Sequence, residues 1–535
     1  MGAAWMRGPL PWLLAAGAGL AQAASLALPG SGQPAWWLQI ASLALLARVL
    51  LALPRTHRSA WRAAGLGWLF ATAWLVGTFW WLFISMHTYG GLAAPLAALA
   101  VLALAAFLGS YYALVCGCFF RCFSAPGLAG RALTAIVFAD LWLLAELARG
   151  QWWTGFPWGA GGYAHADGPL AVLARSVGVY GMGFAAALLA LALAQWRVSD
   201  LRSRRWWAGA LLALLAWGAL AWQREAALGD AQRDAGAPVS VALLQGNIAQ
   251  DEKFQAGSGV PLALAWYGEQ LRGAQAQLVV APETAVPLLP QQLMPGYLER
   301  VTQRYRQGQG SASASMPDGQ ALLLGIPLGD LDTGYTNSVL GFAPGQQGQP
   351  YRYDKHHLVP FGEFIPPLFR WFTQMLNIPL GDFARGSVGQ PSLPWSGQRL
   401  APNICYEDLF GEELAARFVD PAASPTILVN VSNIGWFGDS VAIDQHLAIS
   451  RLRALELERP MLRATNTGAT AVIDHRGRVL AQLPAHTRGV LQAQVQGRTG
   501  AATPYAWWAG RFGLAPLWLG AAALVLLAWL RRPRG

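Results

Sequence analysis

Charge is what this chain has least of. Only 12% of its 535 residues are Asp, Glu, Lys or Arg, against about 25% in ordinary soluble domains, which excludes a chain that is water-soluble throughout. Lysine is nearly missing: of 38 basic residues only Lys253 and Lys355 are lysine, and the rest are arginine. The four cysteines are too few and too unevenly placed for a disulfide-stapled scaffold. Zinc-type Cys/His spacing, a phosphate-cradling glycine loop and a dinucleotide fingerprint are all lacking, so neither a metal nor an organic cofactor is expected. The formal net charge of +10 would suit nucleic acid, yet the arginines cluster beside apolar segments, the mark of membrane topology. No nucleic-acid partner is expected.

Apolar residues, by contrast, are abundant: 54% of the chain is hydrophobic and 26 residues are tryptophan. Runs long enough to cross a bilayer, roughly 17–25 residues, lie near 9–28, 36–53, 66–85, 91–115, 132–148, 170–195, 206–223 and 513–530. The chain thus reads as a polytopic α-helical bundle of about eight spans. Residues 224–512 differ, with short β-like runs ("VSVALLQGNI", "AQLVVAPET", "ALLLGIPLG", "TILVNVSN") and helical patterns between them. They form a mixed α/β domain, so the division is 1–223, 224–512 and 513–535. Alternate connections carry Arg7, then Arg55, Arg58 and Arg62, then Arg121 and Arg131, then Arg197, Arg202, Arg204 and Arg205, then Arg531, Arg532 and Arg534. The positive-inside rule makes both termini cytoplasmic and turns the α/β domain outward. The first run, with Arg7 before it and "AQA" at 21–23, fits a cleaved leader as well as a span; the retained span is the reading adopted.

Cys116, Cys118 and Cys122 sit at the cytoplasmic end of the fourth run and read as inert membrane thiols. Cys405 is the solitary cysteine of the outward domain. It closes the apolar run in "RLAPNICYEDLFGEEL", with a helix expected from about 408, so strand, turn and helix present it at an elbow. Free N–H groups there favour a thiolate and a developing oxyanion. "LVVAPETAVP" closes another run on Glu283, and Lys355 sits in "YRYDKHHLVPFGEF". A half-buried carboxylate can take the thiol proton and a compact ammonium can stabilise the oxyanion. His356, His357 and His446 are rival bases, and spacing alone leaves that choice open. "SNIGWFGDS" reads as a site-lining loop with Asn433 and Trp436, "FIPPLFRWFTQML" at 364–376 as a membrane-facing lid or a core helix, and 307–320 as a Gly/Ser-rich surface loop. Asp439 or Ser440 is expected to cap the next helix.

In the order Glu, Lys, Cys, these segments resemble the nitrilase superfamily. The wider set resembles its membrane-embedded branch, the apolipoprotein N-acyltransferases: "VALLQGNI", "PETAVP", "KHHLVPFGEFIP", "ICYEDLFGE", "SNIGWFGDS", "RALELERPMLRATNTG", "TPYA" and, in the bundle, "SMHTYGG" and "TGFPWGAGGY". The resemblance implies an αββα nitrilase-like domain on the periplasmic side of a bacterial inner membrane. It implies Cys405 as the nucleophile, Glu283 as general base and Lys355 as oxyanion support. Glu363 would assist beside them, and Tyr406 and Glu407 would shape the site. The donor would be a phospholipid (phosphatidylethanolamine), the acceptor a diacylglyceryl-modified apolipoprotein, and the enzyme a monomer working ping-pong through a thioester. Ala281, Phe254 and the Ile434-Gly435 pair depart from the family pattern, none of them at the triad. A membrane-tethered amidase using the same triad is the alternative, and a scaffold that has lost its chemistry is the third reading.

Overall fold

The computed structural model describes residues 6, 8–54, 56–123, 130–307, 319–330, 334–346, 348–365 and 383–531. The chain divides into two compact units, one of Met1–Phe83, Ala93–Gly229 and Phe512–Gly535, the other of Ile84–Leu92 and Asp230–Arg511. Most of the 307–320 loop and of the 364–376 segment lies outside the described residues.

The first unit is helical. Among the described residues a helix covers each apolar run: Leu10–Ala24, Trp36–Ala52, His57–Phe79, Ala94–Phe123, Gly130–Gln151, Ala174–Gln195, Arg204–Gly229 and Ala515–Leu530. By length and apolarity they provide three membrane-crossing helices, or up to five if each of two bent pairs is one span, where about eight spans are expected. The shortfall has physical causes. The first two helices run only 15 and 17 residues, and Gly130–Gln151 carries Arg131, Asp140, Glu146 and Arg149. Two of those charges explain the "TGFPWGAGGY" motif, an irregular segment whose backbone groups need partners away from water. Buried Arg149 donates to the carbonyls of Phe156 (2.8 Å) and Trp158 (2.7 Å), and Glu146 accepts from the Gly161 N–H (2.9 Å). Around them Trp74 stacks on Trp142 at 6.2 Å between centroids.

The second unit is a sandwich of two sheets. Its strands are β1 (Val239–Gln245), β2 (Leu278–Ala281), β3 (Ala321–Asp330), β4 (Gly334–Phe342), β5 (Tyr351–Asp354), β6 (Leu393–Trp395), β7 (Gln398–Ile404), β8 (Ile427–Ser432), β9 (Met461–Thr465), β10 (Ala471–Ile473), β11 (Val479–Gln482) and β12 (Gly489–Val495). One sheet has the order β12-β1-β2-β3-β4-β5 and the other β11-β10-β9-β8-β7-β6. Each is parallel at its centre: Leu243 pairs with Val280 and Val280 with Leu323, while Ile404 pairs with Val431 and Val431 with Ala464. Central parallel strands are covered on both faces, which is why "LVVA" and "ILVNVS" read as unbroken apolar runs.

Side chains divide by the two-residue period of a strand. Val241, Leu243, Val280, Leu323, Val429 and Val431 fill the layer between the sheets. Ala242, Leu244, Val279 and Leu322 face outward onto the helix Gly259–Gly273 (Tyr267, Leu271) and the helix Tyr297–Gln307 (Val301, Tyr305). Across the second sheet Ala401, Leu428 and Met461 pack on helices Ala442–Leu457 and Pro504–Phe512. The αββα layering expected from the resemblance is therefore present. Helix Ala442–Leu457 starts from Val441 with no side-chain cap; Ser440 Oγ only accepts from the Ala442 N–H at 3.4 Å, and Asp439 is exposed.

Candidate active site

The carboxyl ends of parallel strands lack further sheet partners there, and groups gathered at that edge meet in the crevice beyond it. Glu283 follows β2, Lys355 follows β5, Cys405 follows β7 and Asn433 follows β8. Four segments far apart in sequence thus converge on one edge.

Glu283 is held from both sides. Asn337, in β4, donates through Nδ2 to its Oε1 at 2.6 Å, and the backbone N–H of Asn433 donates to its Oε2 at 2.7 Å. Its turn lies so close to β3 that a Cβ on Gly325 would come within 2.1 Å of the Pro282 carbonyl; only glycine lets the two backbones approach. Lys355 is 1% exposed. Its Nζ lies 2.8 Å from Glu363 Oε1 and 3.5 Å from Glu283 Oε1. Glu363 also accepts from Asn337 Nδ2 (2.8 Å) and the Val359 N–H (2.9 Å). Burial works against the ammonium, but Glu363, Glu283 and Cys405 outweigh it and push the Lys355 pKa up. A positive charge is therefore permanently placed here.

Cys405 has φ +53°, the left-handed region that side chains other than glycine rarely adopt. The strained turn is the expected elbow, with one correction. No helix waits until residue 408: a 3-10 turn begins at Cys405 itself and runs to Leu409, followed by a short α-helix, Gly411–Ala415. The Cys405 carbonyl accepts from His446 Nε2 (3.2 Å) and Asn430 Nδ2 (3.3 Å). Glu407 ties the same turn to the Lys355 segment, accepting from the N–H groups of Ile404 (2.6 Å), His356 (2.6 Å) and His357 (3.2 Å) and from the Tyr353 hydroxyl (2.8 Å). Burial, then the Glu283 charge, push the thiol up to about 12, with Lys355 and the Ser432 hydroxyl pulling the other way. At pH 7 the resting residue is a thiol that needs a base.

The three histidines are engaged elsewhere. His356 Nδ1 pairs with the Gly386 carbonyl at 2.9 Å. His357 pairs with Glu413 at 2.9 Å and stacks on Phe410 at 3.4 Å. His446 grips the Cys405 carbonyl while its Nδ1 meets Arg463 at 3.2 Å, and burial holds its pKa well below the ordinary value. Tyr406 is buried against His357 and Phe410. Trp436 is half-buried in the turn Ile434–Phe437, edge-on to Tyr89 at 6.0 Å. Tyr89 lies in "SMHTYGG", whose residues Ile84–Leu92 belong to this unit. Asn337 escapes sequence reasoning; its one signal is an amide inside the otherwise closely packed strand β4. Among the described residues no group of three or more His, Cys, Asp or Glu is placed to hold a metal ion.

Arginine in place of Lys355 would have to set a forked, five-donor group where one small cation touches two carboxylates. On the oxyanion role that the resemblance implies, we expect Lys355→Arg to slow thioester formation by about 10²–10³-fold, the usual effect of losing one oxyanion donor, in a protein that still folds. Single-turnover acylation of the purified variant checks this.

Two stacked sheets with a cysteine, a carboxylate and an ammonium at their shared edge have a nitrilase-type layout, and residues 240–505 match the family model described as carbon-nitrogen hydrolase. Residues 18–192 match a second one, apolipoprotein N-acyltransferase N-terminal domain. Full-length relatives agree. The apolipoprotein N-acyltransferase of Verminephrobacter eiseniae is 63% identical over 517 residues, covering 94% of this chain and 93% of that one. That of Ralstonia nicotianae is 49% identical, covering 88% and 85%. Among solved structures, the carbon-nitrogen hydrolase from Helicobacter pylori G27 is similar at 16% identity and TM-score 0.34, covering 56% of this chain and 95% of that one. The chain belongs to the apolipoprotein N-acyltransferase family, and it is an acyltransferase.

Proposed function

We propose that the enzyme moves an acyl chain from a membrane phospholipid, phosphatidylethanolamine being the donor of choice, to the N-terminal α-amine of the diacylglyceryl-cysteine of apolipoproteins. Glu283 takes the proton from Cys405 as sulfur attacks the ester carbonyl carbon. The oxyanion forms against Lys355, and its collapse forms the thioester and expels the lysophospholipid alcohol, which leaves with the proton held by Glu283. The acceptor amine then attacks the thioester, the amide forms, and the amine's surplus proton returns to the sulfur. The cycle is ping-pong. Glu363 keeps Lys355 in place, Tyr406 and Glu407 hold the elbow, and Asn433 and Trp436 line the substrate side.

The single observation that carries this reading is the contact set of Glu283, Lys355 and Glu363. A carboxylate with both oxygens engaged lies 3.5 Å from a buried ammonium, and both charges act on the Cys405 sulfur. A thioester survives only where water is kept out, which the burial of Glu283, Lys355 and Glu363 supports. The proposed organisation is a bundle over 1–223, a periplasmic catalytic domain over 224–512 and a last span with a basic tail over 513–535. The protein is a monomer of the bacterial inner membrane with both termini cytoplasmic.

Purified enzyme incubated with phospholipid and no acceptor is expected to carry one acyl chain on the Cys405 peptide by mass spectrometry. Adding a diacylglyceryl-peptide should discharge it. An enzyme that never accumulates the adduct, yet releases ammonia from small amides, would instead be a tethered amidase.

A further inference from the structure

In a chain that writes arginine almost everywhere, both lysines touch the same residue. Lys355 approaches the Glu283 carboxylate, and Lys253 donates through Nζ to the Glu283 backbone carbonyl at 3.0 Å. Lys253 is also 1% exposed, and a buried ammonium is costly unless something nearby needs it. One backbone carbonyl is a thin partner for a full charge. What faces it through space is the Glu283 carboxylate and the Cys405 side chain, with the Phe254 ring of its own turn 5.8 Å away. Lys355 and Glu363 stand beyond Glu283, and Asp251 and Glu252 of the same turn are exposed.

That turn, Ala249 to Phe254, makes a second connection to the base. Gln250 Oε1 accepts from Asn433 Nδ2 at 2.8 Å, and it is the Asn433 N–H that donates to Glu283 Oε2. Asn466 closes the ring, donating to the Ile248 carbonyl (2.8 Å) and to Asn433 Oδ1 (3.0 Å). One turn therefore reaches the backbone of Glu283 through Lys253 and its carboxylate through Gln250 and Asn433. Arginine would not serve, since its fork needs several acceptors in one plane and, among the described residues, one acceptor meets Lys253 Nζ.

We infer that Lys253 is a positioning residue of the acylation step, fixing the Glu283 turn and favouring negative charge on the Glu283–Cys405 pair as the proton leaves sulfur. It exchanges no proton and forms no bond. The inference rests on the proposed thioester chemistry, but its test does not depend on that chemistry alone. Burial lowers the Lys253 pKa to about 7, Glu283 and Cys405 opposing; the residue is charged at pH 6 and mostly discharged at pH 9.

Two rates are measured on full-length Lys253→Met in detergent micelles: single-turnover acylation of Cys405 by phospholipid, and alkylation of Cys405 by iodoacetamide followed on its own peptide. At pH 6 both are expected to fall on the order of 10²-fold, with the phospholipid concentration for half-maximal acylation unchanged. At pH 9 the gap to wild type should narrow, because the wild-type lysine has itself lost its charge. Lys253→Gln, which keeps a donor for the Glu283 carbonyl, is read the same way should the methionine variant not fold. Wild-type rates at pH 6, or a loss of the same size at both pH values, would overturn the inference, the second marking a merely structural lysine. If wild type takes no acyl chain from phospholipid while alkylation still shows the pH-dependent gap, the donor assignment fails and the role of Lys253 stands.

Discussion

Cys405→Ala is expected to abolish acyl transfer outright, with no adduct by mass spectrometry and no product at any pH. The carbonyl of residue 405 is pinned by His446 and Asn430, and Glu407 ties the flanking backbone, so the elbow does not depend on the sulfur and the variant should fold. Alanine does leave a side chain at φ +53°, a cost of about 1–3 kcal/mol that wild type bears as well. The thermal midpoint should thus stay close to that of wild type while activity vanishes. Activity surviving in this variant, measured with a diacylglyceryl-peptide acceptor, would remove the covalent intermediate and leave direct attack by the amine.

Glu283→Gln carries the second-largest expected effect. With the thiol pushed up to about 12, roughly one part in 10⁵ is thiolate at pH 7, so the base matters more than it would for an exposed cysteine. Removing it should cost on the order of 10⁴-fold in acylation, the upper end for general-base catalysis. Two terms oppose each other in the variant. The base is lost, but so is a negative charge that raises the thiol. The thiol pKa falls, and acylation should then climb with pH, about tenfold per unit, as hydroxide does the work of the carboxylate. A single-turnover pH series separates this from a folding defect, which would give a low, flat profile. Acylation at the wild-type rate would give the role of base to another group.

What could be read from the residues alone follows the physics of the two sheets. Glu283 and Cys405 stand at the ends of "LVVA" and "RLAPNI", and central strands buried on both faces advertise themselves as apolar runs that stop at something polar. Lys355 is marked by the rarity of lysine in the chain, and Glu363 by resemblance. Pairing was not legible, because β1 meets β12 some 250 residues away in the chain and no local pattern encodes that. The helix expected at 408 was misplaced because "CYEDL" closes as a 3-10 turn around a side chain, with Glu407 reaching back to the Ile404 N–H. What the rings of His356, His357 and His446 touch is equally invisible in the sequence, since those partners lie 17 to 56 positions away. Lys253 is not legible as part of the site, since nothing within three residues of it hints at a partner thirty positions on.

The segment Ile84–Leu92 has a consequence for how such enzymes are cut and recombined. It is separated by more than 130 residues from the rest of its unit, yet Tyr89 sits against Trp436 and a Cβ at Gly438 would lie 3.4 Å from Ile84. A fragment starting near 224, however well it folds, lacks this strip and bares one side of Trp436. A hybrid that joins one relative's helices to another's sandwich inherits a mismatched seam unless these nine residues travel with the sandwich. For inheritance and for engineering alike, the catalytic body has two genetic addresses.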